Sequence, residues 1–520
     1  MKPFIPRPTL LLIAFLVLLL IVVHATSPAR AATLWTTKVD EALLGATSGG
    51  AFAEFLVVLR DQADLSDVAV ARDKIGRGRA VYETMTAIAS RSQAPLLALL
   101  DSRGVNYRAY WINNMIWVRG DRDLVLTLAA RSDVGFIYAN TDQRVDLPSP
   151  TPVSPRAAID ATIEWNIDLV NAPAVWAAGY NGEGAVIGGQ DTGYDWQHEA
   201  LMDQYRGWDG TSADHDYNWH DAIHEDNPMS TGSNPCGFDA PAPCDDGSHG
   251  THTMGTMAGR TAARGIGMAP GAQWIGCRNM ENGWGSPATY SECFEWFIAP
   301  YPIGGDPFTD GDPSKAPHVI NNSWSCPASE GCVAPEVLQA VVEAVRTAGI
   351  VTVQSAGNAG SRCGSVDTPA AIYDASFTVG ATNEQDTITS FSSRGPVTID
   401  GSGRRKPDVV APGQLIQSSI PGNLYAWMQG TSMAGPHVAG LVALLISADP
   451  ALAGNVDELE AIITRSARPI TTDENCGGDQ FDSVPNNVYG WGRIDALAAF
   501  EELVIEPKGY TLFVPAVLVR

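Results

Sequence analysis

The chain has 520 residues, which is more than one ordinary domain requires. Hydrophobic residues make up 45% and charged residues 18%, so the composition predicts a folded globular protein and excludes wholesale disorder. A formal net charge of −25 excludes a general electrostatic attraction to nucleic acid or to an anionic membrane.

Residues 1–31 have the layout of a secretory signal peptide. Lys2 and Arg7 precede an apolar run at 10–23, and residues 29–31 supply the small-x-small pattern of a cleavage site. We therefore expect a secreted protein. The alternative is an uncleaved leader, which would be the one part of the chain that holds it to a membrane.

Residues 32–146 are interpreted as a small α+β domain. Hydrophobic periodicity predicts the order β-α-β-β-α-β, which is the ferredoxin-like arrangement. The predicted elements are a strand at 55–59, a helix at 81–100, two strands within 105–118 that turn at Asn113-Asn114, a helix at 124–130 and a strand at 134–139. Prolines then recur in residues 147–159, which predicts an extended linker that is open to proteases and contains a maturation site.

All eight cysteines lie beyond residue 235. An even number of cysteines in an exported chain indicates disulfides. Short loops favour Cys236–Cys244 and Cys326–Cys332 as local pairs. Zinc binding is the weaker alternative because the chain contains no CxxC motif.

Three further segments place an acid, a histidine and a serine at the ends of predicted elements. Asp191 follows the apolar run 185–190, and an open α/β sheet carries functional groups at the carboxyl ends of its strands. His249 begins a helix of small residues after a loop rich in capping residues, and Ser432 begins a buried helix.

Together, Asp191, His249 and Ser432 predict a catalytic relay. A serine hydroxyl is a poor nucleophile unless a base accepts its proton, and a carboxylate holds that base in the correct tautomer. Taken singly, each residue is more simply explained as a turn or helix-capping residue. An α/β-hydrolase is excluded because its order is serine, acid, histidine, and its G-x-S-x-G elbow would need glycine where this chain has Ala434.

The same segments resemble the signatures of the subtilisin-like serine peptidases, or subtilases, and within that family the bacillopeptidase F branch. Other segments of the family type lie at 351–358, 391–396, 406–413 and 489–496. The resemblance covers about 160–503 and implies an α/β fold, a three-layer αβα body with a mostly parallel central sheet. It also implies that residues 32–146 are an inhibitory propeptide and folding chaperone, and it leaves 504–520 as a C-terminal tail.

The resemblance implies a role for each matching residue. Ser432 would attack the peptide carbonyl, His249 would accept its proton, and Asp191 would orient the imidazole. The side-chain amide of Asn358 and the backbone N–H of Ser432 would bind the developing oxyanion.

Substrate recognition is expected at two places. The segment Ser323-Trp324-Ser325 matches the family segment that pairs with the substrate backbone as an added strand. Ser325 stands where the family commonly has glycine, so the sequence does not determine the width of the specificity pocket. Asp367 would favour a basic side chain at the cleaved position, and its alternative is a surface turn residue.

The chemistry is expected to need no cofactor, and no metal ligands are assigned. Structural calcium is common in the family, but the loop 259–265 lacks the asparagine-rich ligands usual there. His220 and His224 do not form an H-E-x-x-H motif, so we expect a solvated surface loop at 214–226, with binding of a hard cation as the alternative.

The sequence therefore predicts a secreted, self-processing serine endopeptidase. Its expected partners are protein or peptide substrates and its own propeptide, and it is expected to be a monomer. Two alternatives stay open: a tripeptide-releasing exopeptidase on the same fold, and an inactive subtilase-like binding module.

Overall fold

The computed structural model describes residues 36–70, 73–144, 147–153, 163–227, 229–230, 232–324 and 334–505. Several predictions fall outside the described residues. These are the signal peptide at 1–31, much of the linker, Ser325, the pair Cys326–Cys332 and most of the tail at 504–520.

The N-terminal unit, residues 36–144, contains a four-stranded antiparallel sheet in the order β2-β3-β1-β4. Its elements are α1 (Glu41–Ala46), β1 (Ala53–Leu59), α2 (Lys74–Ser102), β2 (Tyr107–Tyr110), β3 (Met115–Gly120), α3 (Arg122–Ala129), β4 (Val134–Ala139) and β5 (Gln143–Arg144). The β-α-β-β-α-β order predicted from the sequence is present from β1 to β4.

Helix α2 begins earlier than the hydrophobic pattern predicts. Asp73 caps its first turn, because the Asp73 Oδ1 accepts a hydrogen bond from the Gly76 N–H at 2.8 Å. Gly78 permits a close approach to Pro313, whose Cβ lies 3.2 Å from the place a Gly78 side chain would occupy. Two glycines in the first turns weaken the helical pattern in the sequence.

The remainder of the chain forms the body, and its first element is β6. They are β6 (Thr151–Pro152), α4 (Trp165–Leu169), α5 (Ala172–Ala177), β7 (Val186–Asp191), β8 (Trp219–Asp221), α6 (His249–Ala258), β9 (Gln273–Arg278), β10 (Trp284–Gly285), α7 (Pro287–Ile298), β11 (Val319–Asn322), α8 (Gln339–Thr347), β12 (Val351–Ser355), β13 (Phe377–Thr382), β14 (Val409–Pro412), β15 (Ile416–Ile420), β16 (Leu424–Met428), α9 (Thr431–Ala448), α10 (Val456–Ser466) and α11 (Ala496–Ile505).

A seven-stranded parallel sheet is the centre of the body, in the order β14-β13-β12-β11-β7-β9-β8. Val319 and Ile320 are consecutive in β11 and both fully buried, yet they belong to separate hydrophobic clusters. Since consecutive strand residues point to opposite faces, helices cover the sheet on both sides. Helices α6 and α9 lie on the Val319 face and α7 and α8 on the Ile320 face, which confirms the predicted α/β layers.

The N-terminal unit packs on α7 and α8. Its Tyr110 and Ile112 share one buried cluster with Phe294 of α7. The Tyr110 hydroxyl donates to Glu292 Oε2 at 2.9 Å, and the Ile112 N–H donates to Glu295 Oε2 at 2.8 Å. Two carboxylates one helical turn apart on α7 therefore accept hydrogen bonds from the N-terminal unit.

Three disulfides lie within the described residues. Cys236–Cys244 is the predicted local pair, and it is confirmed. Cys277–Cys293 connects β9 to α7, and Cys363–Cys476 closes a sequence separation of 113 residues. The sequence did not specify these two pairings.

Within the part of the chain that the structure describes, one helix has the length and apolar composition of a membrane span. This is α9, and 89% of it is buried inside the molecule. Its apolar surface is used by the core of the body.

Candidate active site

The sheet and helix α6 bring Asp191 and His249 together. Asp191 is the last residue of β7, and His249 is the first residue of α6. The His249 Nδ1 lies 2.7 Å from Asp191 Oδ1, and both side chains are almost fully buried. An imidazole that donates Nδ1–H to a carboxylate presents Nε2 as its basic nitrogen.

Close backbone packing makes this contact possible. Gly250 lies against the end of β7, and a side chain there would come within 2.0 Å of the Gly193 carbonyl oxygen. The Gly250 N–H donates to the Thr192 Oγ1 at 3.1 Å, and that hydroxyl donates to Asp245 Oδ1 at 2.8 Å. The turn after β7 and the loop before α6 are thus hydrogen bonded to each other on both sides of the Asp191–His249 pair.

Ser432 lies in the first turn of α9 and is 4% exposed. Its hydroxyl donates to the Ser323 carbonyl at 3.1 Å, while the Ser323 hydroxyl donates to the Ser432 carbonyl at 2.9 Å. His249 Nε2 is buried and has no hydrogen-bond partner among the described residues. The structure therefore shows a hydrogen bond between Asp191 and His249, and hydrogen bonds between Ser432 and Ser323 at the end of β11. Among the described residues, His249 Nε2 is not hydrogen bonded to Ser432.

Asn358 follows β12 and is exposed. Its Oδ1 accepts hydrogen bonds from the Thr431 N–H at 2.9 Å and from the Thr431 hydroxyl at 3.0 Å. These two bonds orient the amide so that its NH2 group is free to donate elsewhere. Thr431 directly precedes Ser432, so the amide is fixed to the turn that carries the serine.

The chain is similar in sequence to proteins of a known family. A model described as the subtilase family matches residues 182–492. This chain belongs to the subtilase family. Bacillopeptidase F of Bacillus subtilis (strain 168) is 34% identical over 459 residues, which are 84% of this chain and 30% of that protein. Subtilisin E of the same strain is 32% identical over 293 residues, 56% of this chain and 62% of its own length. The chain spans less than two thirds of the length of each of these relatives.

Two residues of the predicted substrate segment, Ser323 and Trp324, lie within the described part of the chain, and both are buried. The Trp324 ring stacks on Tyr290 with centroids 4.0 Å apart, and its side chain is 1% exposed. The Trp324 carbonyl accepts a hydrogen bond from Gln354 at 2.6 Å. The Trp324 side chain is therefore a core residue, and a role in binding substrate through the backbone stays a prediction.

Asp367 has a partner within the chain. Its Oδ2 lies 3.4 Å from Arg362, and burial raises the pKa of the Asp367 carboxyl, with Arg362 opposing that effect. Its other oxygen is buried and has no hydrogen-bond partner among the described residues. Selection for a basic side chain by Asp367 stays a prediction, and such a side chain would compete with Arg362.

The expectation of a solvated loop at His220 and His224 was wrong. His220 belongs to β8, and its Nε2 lies 2.9 Å from Glu292 Oε1. The two nitrogens of His224 face Glu292 at 2.8 Å and Asp239 at 2.5 Å. Burial alone would lower the pKa of His224, but the Glu292 carboxylate outweighs it and raises that pKa to about 9. Burial would raise the pKa of the Glu292 carboxyl, but His224 and His220 outweigh it and hold that pKa well below its usual range.

Two further buried histidines lie on the helices of the site, His252 on α6 and His437 on α9. Both side chains are hydrogen bonded, and burial lowers the pKa of His252 to about 3 and that of His437 to about 4. Across the described ranges, no group of three or more histidine, cysteine or acidic residues is arranged to hold a metal ion.

Sequence reasoning missed the groups that support the site. Thr431 orients Asn358, and Asp245 accepts hydrogen bonds from Thr192 and Thr251. Each of these residues lies within three residues of a predicted catalytic position or in the loop before His249. Position beside a motif was therefore the available signal, but the partners across the fold were not visible in the sequence.

Proposed function

We propose that this subtilase is a secreted serine endopeptidase that is made as a zymogen and processes itself. One observation carries the proposal, the buried 2.7 Å hydrogen bond between His249 Nδ1 and Asp191 Oδ1. It supports His249 as a general base because it fixes the tautomer in which Nε2 is unprotonated.

In the proposed reaction, the Ser432 hydroxyl breaks its hydrogen bond to the Ser323 carbonyl and transfers its proton to His249 Nε2. The Ser432 Oγ forms a bond to the carbonyl carbon of the substrate, and the C–N bond then breaks as His249 protonates the leaving amine. Water then attacks the acyl-enzyme as His249 accepts its proton, and His249 returns a proton to the Ser432 Oγ as the ester bond breaks. No external cofactor is needed, and we assign no calcium ligands.

The proposed oxyanion site contains two donors. The Asn358 NH2 group is available because Thr431 occupies the amide oxygen. The Ser432 N–H lies in the first turn of α9, where helix N–H groups lack intrahelical partners. Donors fixed in advance stabilise a developing negative charge without reorganising.

The proposed division of the chain follows from the sequence. Residues 1–31 would be a cleaved leader, 32–146 an inhibitory propeptide, 147–159 the linker that is cut, 160–503 the peptidase and 504–520 a tail. The contacts of Tyr110 and Ile112 with α7 support a propeptide that stays bound to the peptidase before removal. We propose a monomer that acts on protein substrates.

Two measurements on the purified full chain test the proposal. A fluorophosphonate probe should label Ser432 in the matured protein, and Ser432→Ala should abolish the labelling and leave the chain uncleaved. Mass spectrometry of a digested long peptide should show internal cuts. Products shortened by three residues at a time from one end would support the exopeptidase instead. A matured wild-type protein that is neither labelled nor active would support the binding module.

A further inference from the structure

Buried amide side chains form a row at the carboxyl ends of four neighbouring strands of the parallel sheet. Gln190, Asn322 and Gln354 lie opposite one another in the register of β7, β11 and β12, and Asn279 directly follows β9. All of them are 0% exposed, and we call them the amide row. The row lies on the face of the sheet that α7 and α8 cover, because Asn322 is two residues beyond Ile320 on the same strand.

The amides are hydrogen bonded to one another across the strands. Asn279 Nδ2 donates to Gln190 Oε1 at 2.8 Å, and Gln190 Nε2 donates to Asn322 Oδ1 at 2.5 Å. Asn322 Nδ2 in turn donates to the Val353 carbonyl of β12 at 2.9 Å. These bonds run in one direction, from β9 through β7 and β11 to β12. The side chains thus extend the hydrogen bonding of the sheet at the point where the backbone register of β7 and β11 ends.

Two members of the amide row hold the end of the strand that carries Asp191. Gln190 immediately precedes Asp191 in β7. The backbone N–H of Asn279 donates to the Asp191 carbonyl at 3.0 Å, in addition to the bond between the side chains of Asn279 and Gln190. Since consecutive residues of a strand point to opposite faces, the Gln190 side chain is fixed on one face while Asp191 contacts His249 on the other.

A third member holds the strand that contacts the serine. Asn322 is the last residue of β11, and Ser323 follows it directly. The Ser323 carbonyl accepts a hydrogen bond from the Ser432 hydroxyl, and the Ser323 hydroxyl donates to the Ser432 carbonyl. The bond between Gln190 and Asn322 therefore connects the strand of the Asp191–His249 pair to the strand that holds Ser432.

Stability alone is a poor explanation of the amide row. A buried amide exchanges its hydrogen bonds to water for those within the protein, so its net contribution to stability is small, and an apolar side chain of similar shape often serves as well. The row also leaves Asn279 Oδ1 and Gln354 Oε1 without a hydrogen-bond partner among the described residues. Hydrogen bonds fix both a distance and an angle, which apolar packing does not. The row is therefore suited to fixing the ends of neighbouring strands relative to each other.

We propose that Gln190 and Asn322 are positioning residues for the peptidase reaction. The hydrogen bond between their side chains sets the distance between the Asp191–His249 pair and Ser432, across which the proton is transferred. Both side chains act through their neighbours, because they are fully buried on the face of the sheet away from His249. This inference rests on the proposed function and assigns a role in it to two residues that no sequence motif indicated. A misplacement of reacting groups by about 1 Å costs about 10²-fold in rate.

The first experiment compares two substitutions in the matured enzyme on a long peptide. Gln190→Met keeps the length of the side chain and removes both amide bonds. We expect kcat to fall about ten- to hundred-fold, with KM changed by less than about three-fold. The matched control is Thr378→Val. Thr378 lies opposite Gln354 in the same sheet, is 0% exposed and donates to the Ala371 carbonyl at 2.7 Å, but it has no contact with the amide bonds of Gln190.

The control also loses one buried hydrogen bond, and it should keep kcat within about two-fold of wild type. Urea unfolding of each variant ensures that kcat is compared between folded proteins. Equal losses of kcat in the two variants, or a loss confined to KM, would overturn the positioning role and leave the proposed function intact. A matured wild-type enzyme that cuts no peptide would contradict the proposed function instead.

The second experiment tests the bond between the two amides by exchanging them. Gln190→Asn shortens one side chain by a methylene group, and Asn322→Gln lengthens its partner by the same amount. We expect each single change to lower kcat about ten-fold, and the double change to recover most of that loss because the two amides can meet again. These variants keep an amide at both positions, so they decide the question even if Gln190→Met does not fold. A double variant no faster than the slower single variant would overturn the inference.

Discussion

The N-terminal unit and the body are joined by a shared interface but are stabilised by different means. The three disulfides in the described residues all lie in the body, and the sequence has no cysteine before residue 236. The N-terminal unit instead buries one side of its sheet against α7 and α8 and donates hydrogen bonds to Glu292 and Glu295. The difference supports the proposal that the N-terminal unit is removed and that the body then stays folded without it.

The largest effect is expected from a substitution that removes a predicted catalytic group of the body and leaves the interface with the N-terminal unit intact. We expect Asp191→Asn to lower kcat by about 10⁴-fold, because the amide no longer selects the tautomer that makes Nε2 basic. Steady-state kinetics on a long peptide measure the loss. Asp203→Asn changes an exposed acid and should leave kcat within two-fold. Activity of Asp191→Asn near the wild-type level would contradict the assigned role.

The next prediction concerns the stability of the body. Replacing both Cys363 and Cys476 by serine should lower the free energy of unfolding by about 4–5 kcal/mol, because the closed loop has a separation of 113 residues. The same replacement at Cys236 and Cys244, with a separation of 8, should cost about 2–3 kcal/mol. Urea unfolding measures both. Equal losses would show that loop closure does not dominate.

Asn358 tests the oxyanion site. Asn358→Ala should lower kcat by about 10²–10³-fold, the range measured for the oxyanion-hole amide of a subtilisin, with little change in KM. Thr431→Val removes one of the two hydrogen bonds that orient Asn358 and should cost less, about ten-fold. A rise in KM without a fall in kcat would contradict transition-state binding by this amide.

The smallest expected effect concerns the pH dependence of the interface. The His224 pKa is raised to about 9, so the stabilisation by its charged form is complete below its ordinary pKa of about 6.5 and is lost as the pH rises through about 9. We expect a loss on the order of 1–3 kcal/mol between pH 7 and pH 10 in the free energy of unfolding.

This pH profile is best measured on the uncleaved Ser432→Ala chain, with and without His224→Gln. Burial lowers the pKa of Lys74 at the same interface to about 7, which makes a contribution of the opposite sign over this pH range. The difference between the two variants isolates His224. Parallel pH profiles for the two would contradict the prediction.

Much of the fold could be predicted because its signals are local. The strands of the N-terminal unit and the end of β7 follow from hydrophobic periodicity, and Asp191 and His249 were placed in the correct context by their neighbours. The start of α2 was missed because Gly76 and Gly78 weaken the pattern, while the cap at Asp73 and the packing on Pro313 stabilise it.

The contacts that could not be predicted join residues far apart in sequence. His220 and His224 were expected to be solvated because Glu292, which lies within hydrogen-bond distance of both, is about 70 residues further on in the sequence. The hydrogen bonds between Ser323 and Ser432 cross 109 positions. One sequence gives the chemistry of each side chain but not the partner that the topology brings to it.

Helix α9 has a consequence for the chain before it folds. The helix is apolar enough to cross a membrane, and the finished body hides 89% of it. An unfolded or partly folded chain therefore exposes a segment that lipid bilayers and other apolar surfaces would take up. Packing of α9 against the sheet therefore buries this apolar surface, and the same packing positions Ser432.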